Sequence, residues 1–201
     1  MPQESVTNIL IVGVGGQGTL LTSKIIADVA VALGYDVKVS EIHGMAQRGG
    51  SVVSQVRYGD KVYSPIVSKG EADVILAFEK LEAARWLDYL KPQGLLIIND
   101  ERVDPLPVLS GKAKYPLDII DQIKKIAVNT IVVDASVKAR EAGNIKTANV
   151  VLVGVLSQAI QLPEDEMTAA IKKSVPAGAL EQNLQAFQAG VDLYAVSVAK
   201  G

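Results

Sequence analysis

The sequence predicts an α/β fold with an open, mostly parallel sheet, flanking helices and an added antiparallel hairpin. Three observations predict it: an apolar run that ends in a glycine-rich turn and leads into a helix, an alternation of strand-like and helix-like segments, and two β-prone runs around a two-residue turn. The chain has 201 residues, of which 49% are hydrophobic and 21% are charged. This size and composition are typical of one globular domain, so we expect a single domain over residues 1–201.

The first half of the chain contains the strand–turn–helix unit and the hairpin. The predicted elements are a strand at 8–12, a helix at 19–33, a strand at 37–40, and a hairpin of residues 51–58 and 61–64. Gly34 closes the helix, because glycine is favoured just beyond a helix C-terminus. Gly59 and Asp60 tolerate positive φ and therefore predict the hairpin turn.

The second half alternates strands and helices, as βαβ units do. The predicted elements are a strand at 72–78, a helix at 79–90, a strand at 95–98, a helix at 118–127, a strand at 130–134, and helices at 144–160, from 163 and at 179–199. The segment 104–116 contains three prolines and predicts a surface excursion. The helix at 144–160 is apolar nearly all round, so it should be a central packing element.

Charge and composition exclude several classes of function. The net charge of -2 argues against a nucleic-acid surface, because such surfaces depend on clustered Lys and Arg. No segment is apolar enough to predict a membrane span and the start does not resemble a secretory signal, so we expect a cytoplasmic protein. With no cysteine and one histidine, the chain cannot ligate the usual iron–sulphur clusters or an ordinary zinc site, and we predict no metal.

The glycine turn, residues 13–18 (GVGGQG), follows a predicted strand and opens a predicted helix, which is typical of a Rossmann-like unit. Its candidate binding residues are Gly13, Gly15, Gly16, Gln17 and Gly18. Glycines there let the backbone approach a ligand and leave helix N-terminal N–H groups for an anion. The alternative is that they only allow a tight turn and close packing. Glu41, at the end of the second strand, keeps open an NAD(P)-binding interpretation.

The loop after the second strand, residues 41–51 (EIHGMAQRGGS), contains the only histidine of the chain. In a parallel sheet it emerges beside the glycine turn, so we expect the two loops to converge. Its candidate residues for binding or partner contact are His43, Gln47, Arg48, Gly49, Gly50 and Ser51. Arg48 offers a planar fork of donors for an anion, and His43 titrates near neutral pH. The alternative is that both side chains bind backbone carbonyls and hold the loop in place.

These two loops resemble the gamma-type subunit of 2-oxoacid:ferredoxin oxidoreductases. The similarity rests on GVGGQG and on SEIHGMAQRGGSVVSQVRYG, and it continues at 72–73, 149–154 and 183–190, so it spans essentially the whole chain. The form HGMAQRGGS resembles most closely the indolepyruvate branch, in which a small subunit pairs with one large subunit. Pyruvate, 2-oxoisovalerate and 2-oxoglutarate enzymes have related gamma subunits and remain alternatives.

The resemblance implies oxidative decarboxylation of a 2-oxo acid to an acyl-coenzyme A, with electrons passed to ferredoxin. It implies that the large partner subunit holds thiamine diphosphate and the iron–sulphur clusters, and that coenzyme A is used by the assembled enzyme. Residues 59–61 lack the Gly-Asp-Gly start of a thiamine diphosphate motif, which agrees with this division. We therefore expect the chain to bind no cofactor alone, to be inactive alone, and to form a homodimer near the glycine loops when its partner is missing. An autonomous NAD(P)- or flavin-binding oxidoreductase and a pure scaffold are the other interpretations.

Overall fold

A computed structural model describes residues 6–43 and 49–199 as a six-stranded mixed sheet with helices on both faces. The strands are β1 (Thr7–Val14), β2 (Asp36–His43), β3 (Ser51–Gly59), β4 (Ala72–Ala77), β5 (Leu90–Asn99) and β6 (Thr130–Val133). The helices are α1 (Thr19–Ala32), α2 (Lys80–Arg85), α3 (Leu106–Leu109), α4 (Ile119–Ile126), α5 (Ala135–Glu141), α6 (Ala148–Ala159), α7 (Glu164–Ser174) and α8 (Leu180–Val198).

The order of strands across the sheet is β2-β3-β1-β4-β5-β6. β3 runs antiparallel to both of its neighbours, β1 and β2, whereas β1, β4, β5 and β6 pair in parallel. β1 and β2 therefore point the same way, and the turns that follow them leave the same edge of the sheet. The α/β class with a mostly parallel, open sheet is confirmed.

The predicted hairpin was wrong in its second strand. β3 does form, but its hairpin partner is β2, and residues 61–64 lie outside the sheet. β3 already has β1 on one side and β2 on the other, so neither edge is open to another strand. The chain after β3 is held by side chains instead: the Asp36 carboxylate accepts a hydrogen bond from the Val62 N–H at 2.9 Å, and Arg57 Nη1 donates to the Ser64 carbonyl at 2.9 Å.

Two hydrophobic cores lie on opposite faces of the sheet. Ile9 and Ile11 of β1 pack with α1 and with α5 to α8, whereas Leu10 and Val12 pack with α2 and α4. Consecutive side chains of a strand point to opposite faces, so a strand covered on both faces is apolar at every position. The uninterrupted apolar run of β1, residues 9–12, reflects this double burial.

α6 and α8 contact each other backbone to backbone. A Cβ at Gly154 would lie 2.3 Å from the Phe187 carbonyl oxygen, and one at Gly190 would lie 2.0 Å from the Val151 carbonyl oxygen. Most of α6 is buried, from Asn149 to Ser157. The prediction that this segment is a central packing element is confirmed.

Two predicted helices differ from the structure in their limits, and one helix was missed. The helix expected at 79–90 is α2 followed by a short 3-10 turn, and the helix expected at 144–160 begins at Ala148 after another such turn. α5 was not predicted, although Asp134 caps it by accepting a hydrogen bond from the Val137 N–H. In the described part of the chain, no helix is both long and apolar enough to cross a bilayer.

Candidate functional site

A cavity of about 230 Å³ opens where the carboxyl ends of the strands meet the N-terminus of α6. Gly16 and Gln17 line it after β1, Phe78 after β4, Asn99 at the end of β5, and Ser136 after β6. The crossovers on the two sides of the β1–β4 boundary go to opposite faces of the sheet. Ligand sites in open α/β sheets form at such a boundary.

Gln17 and two of the glycines fix the shape of the glycine turn. The Gln17 side chain accepts a hydrogen bond from the Val14 N–H at 2.7 Å and donates one to the Phe78 carbonyl at 3.3 Å. A Cβ at Gly13 would lie 2.8 Å from Gln17 Oε1, and one at Gly18 would lie 2.6 Å from Asn149 Nδ2. Gly18 also has a φ of +90°, at which residues other than glycine are disfavoured. Packing therefore requires these two glycines, whatever else they do.

Gly16 differs from them, because nothing lies within 4 Å of a Cβ built there, although its φ is +102°. It lines the cavity with its backbone exposed to the open space. Unlike Gly13 and Gly18, Gly16 therefore has surroundings that leave room for a ligand.

The glycine turn and the loop after β2 meet, as the strand directions predict. The Gly15 N–H donates to the Gly50 carbonyl at 2.8 Å, and the Gly49 N–H lies 3.5 Å from the Gly15 carbonyl oxygen. The Gln17 N–H is also satisfied within the turn, by the Val14 carbonyl at 3.1 Å. Two N–H groups that a phosphate-binding turn would present to an anion are thus already used.

Ser51 connects the C-terminal end of the same loop to α2, which packs on one face of the sheet. It pairs with Val14 in the β1–β3 register, and its hydroxyl donates to the Glu82 carboxylate. Glu82 is only 4% exposed and also accepts a hydrogen bond from Arg85 Nε at 3.1 Å. A buried carboxylate needs such partners, and here one of them is a candidate site residue.

Most polar groups at the back of the cavity bond one another. Asn99 donates to the Phe78 carbonyl at 3.2 Å and to Glu101 at 3.0 Å, and it accepts from the Ala135 N–H at 2.9 Å. Ser136 donates to the same Glu101 carboxylate at 2.7 Å. Asn99 and Ser136 have thus used their hydrogen-bonding groups within this wall, whereas both bonds to Glu101 are to Oε2.

Asn149 and Lys146 remain available on the α6 side. Asn149 lines the cavity and is 6% exposed, and no described residue hydrogen-bonds its side chain. Lys146 is exposed at the rim and forms no ion pair with any described residue. An amide and an ammonium beside Gly16 can bind acceptor or anionic groups. The sequence placed Asn149 in a segment that resembles the family. It could not predict that β6 and α6 lie beside the glycine turn, so four other residues of the cavity were not identified: Asn99, Glu101, Ser136 and Lys146.

Part of the predicted site is not described. His43 ends β2, but its side chain is outside the described part, and Gln47 and Arg48 lie between the two described ranges. Their roles remain predictions, as do the functional roles of Gly49, Gly50 and Ser51.

The position of Glu41 argues against a dinucleotide site. β3 separates β2 from β1. The strand that carries Glu41 therefore lies two strand spacings, about 9 to 10 Å, from the strand that leads into the glycine turn. In the dinucleotide-binding arrangement the acidic strand is adjacent to the glycine strand. Ser23 donates instead to the Glu41 carboxylate at 3.2 Å.

The side chains of this chain do not fit a resident iron–sulphur cluster. The sequence contains no cysteine, and within residues 6–43 and 49–199 no group of three or more His, Cys, Asp or Glu could hold a metal ion. Of the described residues that line the cavity, none is a histidine, and the Ser136 hydroxyl is bonded to Glu101 in the wall.

Each comparison with known proteins matches nearly the whole chain. The model of the pyruvate ferredoxin/flavodoxin oxidoreductase family matches residues 8–193. Indolepyruvate oxidoreductase subunit IorB of Thermococcus kodakarensis is 44% identical over 191 residues, which cover 92% of this chain and 94% of that protein. The subunit of the same name from Methanothermobacter thermautotrophicus is 36% identical over 187 residues, covering 91% and 95%.

Two solved structures have the same fold. The gamma subunit of a keto/oxoacid ferredoxin oxidoreductase from Geobacter sulfurreducens superposes with a TM-score of 0.74 at 22% identity, covering 96% of this chain and 98% of that one. The 2-oxoglutarate:ferredoxin oxidoreductase from Magnetococcus marinus gives a TM-score of 0.76 at 22% identity, covering 96% of this chain and 32% of that one. The family match and the identities over nearly full length lead to one assignment: the chain belongs to the pyruvate ferredoxin/flavodoxin oxidoreductase family.

Proposed function

We propose that the chain is the small subunit of an indolepyruvate ferredoxin oxidoreductase. In this role it takes part in the oxidative decarboxylation of an aryl 2-oxo acid to an acyl-coenzyme A, with electrons passed to ferredoxin. The observation that carries the proposal is the 44% identity to an indolepyruvate oxidoreductase subunit over nearly the full length of both chains. Relatives named as 2-oxoglutarate synthase subunits are more distant, at 32% identity.

The proposal assigns the redox chemistry to a large partner subunit, which holds thiamine diphosphate and the iron–sulphur clusters. The donor set of this chain supports that division, because it has no cysteine for clusters. The small subunit then contributes a preformed surface at the carboxyl edge of its sheet. Cofactor enzymes commonly separate the reactive group from the protein surface that positions it.

In the assembled enzyme, the cavity beside the glycine turn holds part of coenzyme A. Support comes from the open backbone at Gly16, the amide of Asn149 and the ammonium of Lys146, which suit the amide and phosphate groups of that molecule. The solved enzyme from Magnetococcus marinus has coenzyme A and succinyl-coenzyme A bound. We propose that the same surface faces the thiamine site of the partner.

Reconstitution tests the function. The purified chain is combined with its large subunit, and viologen reduction is measured with coenzyme A and a panel of indolepyruvate, phenylpyruvate, pyruvate, 2-oxoisovalerate and 2-oxoglutarate. We expect no turnover by either subunit alone and the highest kcat/KM with the aryl substrates. Turnover by this chain alone contradicts the division of labour, and a preference for pyruvate, 2-oxoisovalerate or 2-oxoglutarate moves the protein to another branch of the family.

A further inference from the structure

The excursion between β5 and α4 exposes three leucines at the edge of the sheet that contains the cavity. Leu106 is 77% exposed, Leu109 is 70% exposed and Leu117 is 85% exposed. Leu106 and Leu109 are three residues apart on α3, so they lie on the same side of that helix. Single exposed leucines are ordinary, whereas Leu106 and Leu109 form one apolar surface on α3, and Leu117 is exposed farther along the same segment.

The excursion is held in place by a buried carboxylate. Glu79 is 1% exposed, and it accepts hydrogen bonds from the Val103 N–H at 3.3 Å and from the Tyr115 hydroxyl. It also caps α2 by accepting from the Glu82 N–H at 2.9 Å. Both ends of the excursion are thus fixed to the start of the same helix.

Tyr115 strengthens this attachment. Burial and the neighbouring Glu79 carboxylate raise the pKa of Tyr115 well above its ordinary value of 10.0, so its hydroxyl keeps the proton that it donates. The Arg102 guanidinium lies 4.5 Å from the centre of the Tyr115 ring, at a distance typical of cation–π contacts. The leucines are therefore displayed on a held segment.

The same segment presents two cations. Lys112 and Lys114 are exposed, and neither forms an ion pair with any residue of the described ranges. The N–H groups of Lys112 and Ala113 donate to the Pro107 carbonyl at 2.9 and 3.0 Å, which folds this stretch back onto α3. We call Leu106, Leu109, Leu117, Lys112 and Lys114 the leucine–lysine surface.

The surface continues from the cavity along the chain. Glu101 lines the cavity, and Val103, where the segment is fixed to Glu79, follows almost directly after it. Glu79, to which Val103 and Tyr115 are both bonded, directly follows Phe78 of the cavity lining, so the two ends of the segment are fixed beside the cavity. An apolar centre with unpaired lysines fits a partner whose own surface combines apolar side chains with carboxylates.

We infer that the leucine–lysine surface is the docking site for an apolar, acidic surface of the large subunit, and that docking there brings that subunit over the cavity. This inference rests on the proposed function, because the function supplies the partner. It goes further by naming the contact segment, its chemistry and its relation to the cavity.

Binding between the purified subunits tests the inference by calorimetry. We expect the double variant Leu106→Ser and Leu109→Ser to bind the large subunit at least about tenfold more weakly, because apolar anchors dominate such interfaces. The matched control is Val31→Ser with Val128→Ser, which replaces side chains that are 60% and 87% exposed on α1 and before β6. The control should bind as the wild type does, and both variants should keep the wild-type melting temperature.

Charge reversal provides an independent arm. Lys112→Glu with Lys114→Glu should weaken binding about tenfold at low ionic strength, and added salt should reduce the difference from wild type. Unchanged affinity in both the leucine and the lysine variants overturns the docking site while leaving the proposed function intact. A wild-type chain that does not bind the large subunit overturns the function and the docking site together. A homodimer of the lone chain that only the leucine variant dissolves, with unchanged affinity for the large subunit, assigns the surface to a second copy and also overturns the inference.

Discussion

Ser51 and Glu82 form a contact on which the base of the candidate site depends. The Glu82 carboxylate is buried, and the Ser51 hydroxyl is one of the side chains that satisfy it. Gly50, the residue before Ser51, receives the hydrogen bond from the glycine turn. A change at Ser51 should therefore reach the contact between the two loops.

We predict that Ser51→Ala lowers the free energy of unfolding by about 1 to 3 kcal/mol, because it removes a hydrogen-bond donor from a buried carboxylate. It should also speed tryptic cleavage after Arg48 in the folded subunit. Thermal unfolding and timed proteolysis measure the two effects. Ser68→Ala is the control, at an exposed serine outside the site. Wild-type cleavage and stability in Ser51→Ala would show that the contact does not hold the loop.

Lys146 is the exposed cation at the rim of the cavity. If the cavity binds phosphate groups of coenzyme A, Lys146→Ala should raise the KM for coenzyme A by about two- to fivefold and leave the KM for the 2-oxo acid unchanged, because an exposed ion pair contributes up to about 1 kcal/mol. Lys172→Ala, at an exposed position of α7, should change neither constant. Equal KM values for coenzyme A in the wild type and Lys146→Ala would remove Lys146 from the binding site.

Arg48 is the only fixed cation among residues 41–51. We predict that Arg48→Ala lowers affinity for an anionic ligand, or kcat/KM of the assembled enzyme, about ten- to a hundredfold, since a charge-assisted hydrogen bond contributes roughly 1.5 to 3 kcal/mol. Arg48→Lys should restore only part of this loss, because an ammonium lacks the planar fork. Kinetics, assembly and melting temperature are compared for both variants. Normal kinetics in a correctly assembled Arg48→Ala enzyme would assign the side chain to structure.

The pair of helices α6 and α8 illustrates how single elements determine the packing behind the site. Both contact positions are glycine, so the helices approach until backbone atoms touch. Asn149 lies on α6, and its amide reaches both the cavity and Gly18. The contact with α8 therefore fixes the position of the helix that carries Asn149.

We predict that Gly154→Ala and Gly190→Ala each destabilise the fold by more than about 1 kcal/mol, although alanine is the better helix former. The added Cβ would meet backbone carbonyls, which cannot move aside as a flexible side chain can. Urea unfolding gives the free energies. Gly178→Ala is the matched control, because nothing lies within 4 Å of its Cβ, and it should be neutral. A neutral Gly154→Ala variant would mean that the helix pair can separate at little cost.

Elements with a strong local signal were predictable from the sequence. β1 is an apolar run that ends in glycines, α1 has apolar residues at helical spacing closed by Gly34, and α7 follows Pro163; their positions were correct to within a few residues. α5 was missed because it is short and its only signal is the Asp134 cap. The choice of partner for β3 could not be read from its β-prone residues, because these indicate a strand and not which strand lies alongside.

For the molecule as a whole, the sequence predicted the convergence of two loops but not the cavity. The glycine turn and the loop after β2 were found because each carries an unusual run of glycines. The cavity depends on Asn99, Ser136 and Asn149, which are ordinary residues until the strand order brings them together. Residues so far apart in the chain leave no local pattern.

We predict that the chain without its partner forms a homodimer at micromolar concentrations, because a subunit that loses a large covering partner exposes surface that associates. Light scattering with size-exclusion chromatography gives the mass, and addition of the large subunit should dissolve the dimer. We expect the contact near the glycine loops. A monomer at every concentration tested would contradict the prediction.

The position of β3 between β2 and β1 has a consequence for local unfolding of the sheet. β2 is an edge strand that joins the sheet through β3 alone, whereas β3 is bonded on both sides. The amides of β2, and those of β3 that bond to β2, can therefore exchange with solvent after a local detachment, while the β3 amides that bond to β1 require the separation of β3 from β1. Gly50 and Ser51 belong to the β3 side of the loop. The hydrogen bond between Gly15 and Gly50 therefore remains when β2 detaches, so this end of the loop stays beside the glycine turn after β2 has left the sheet.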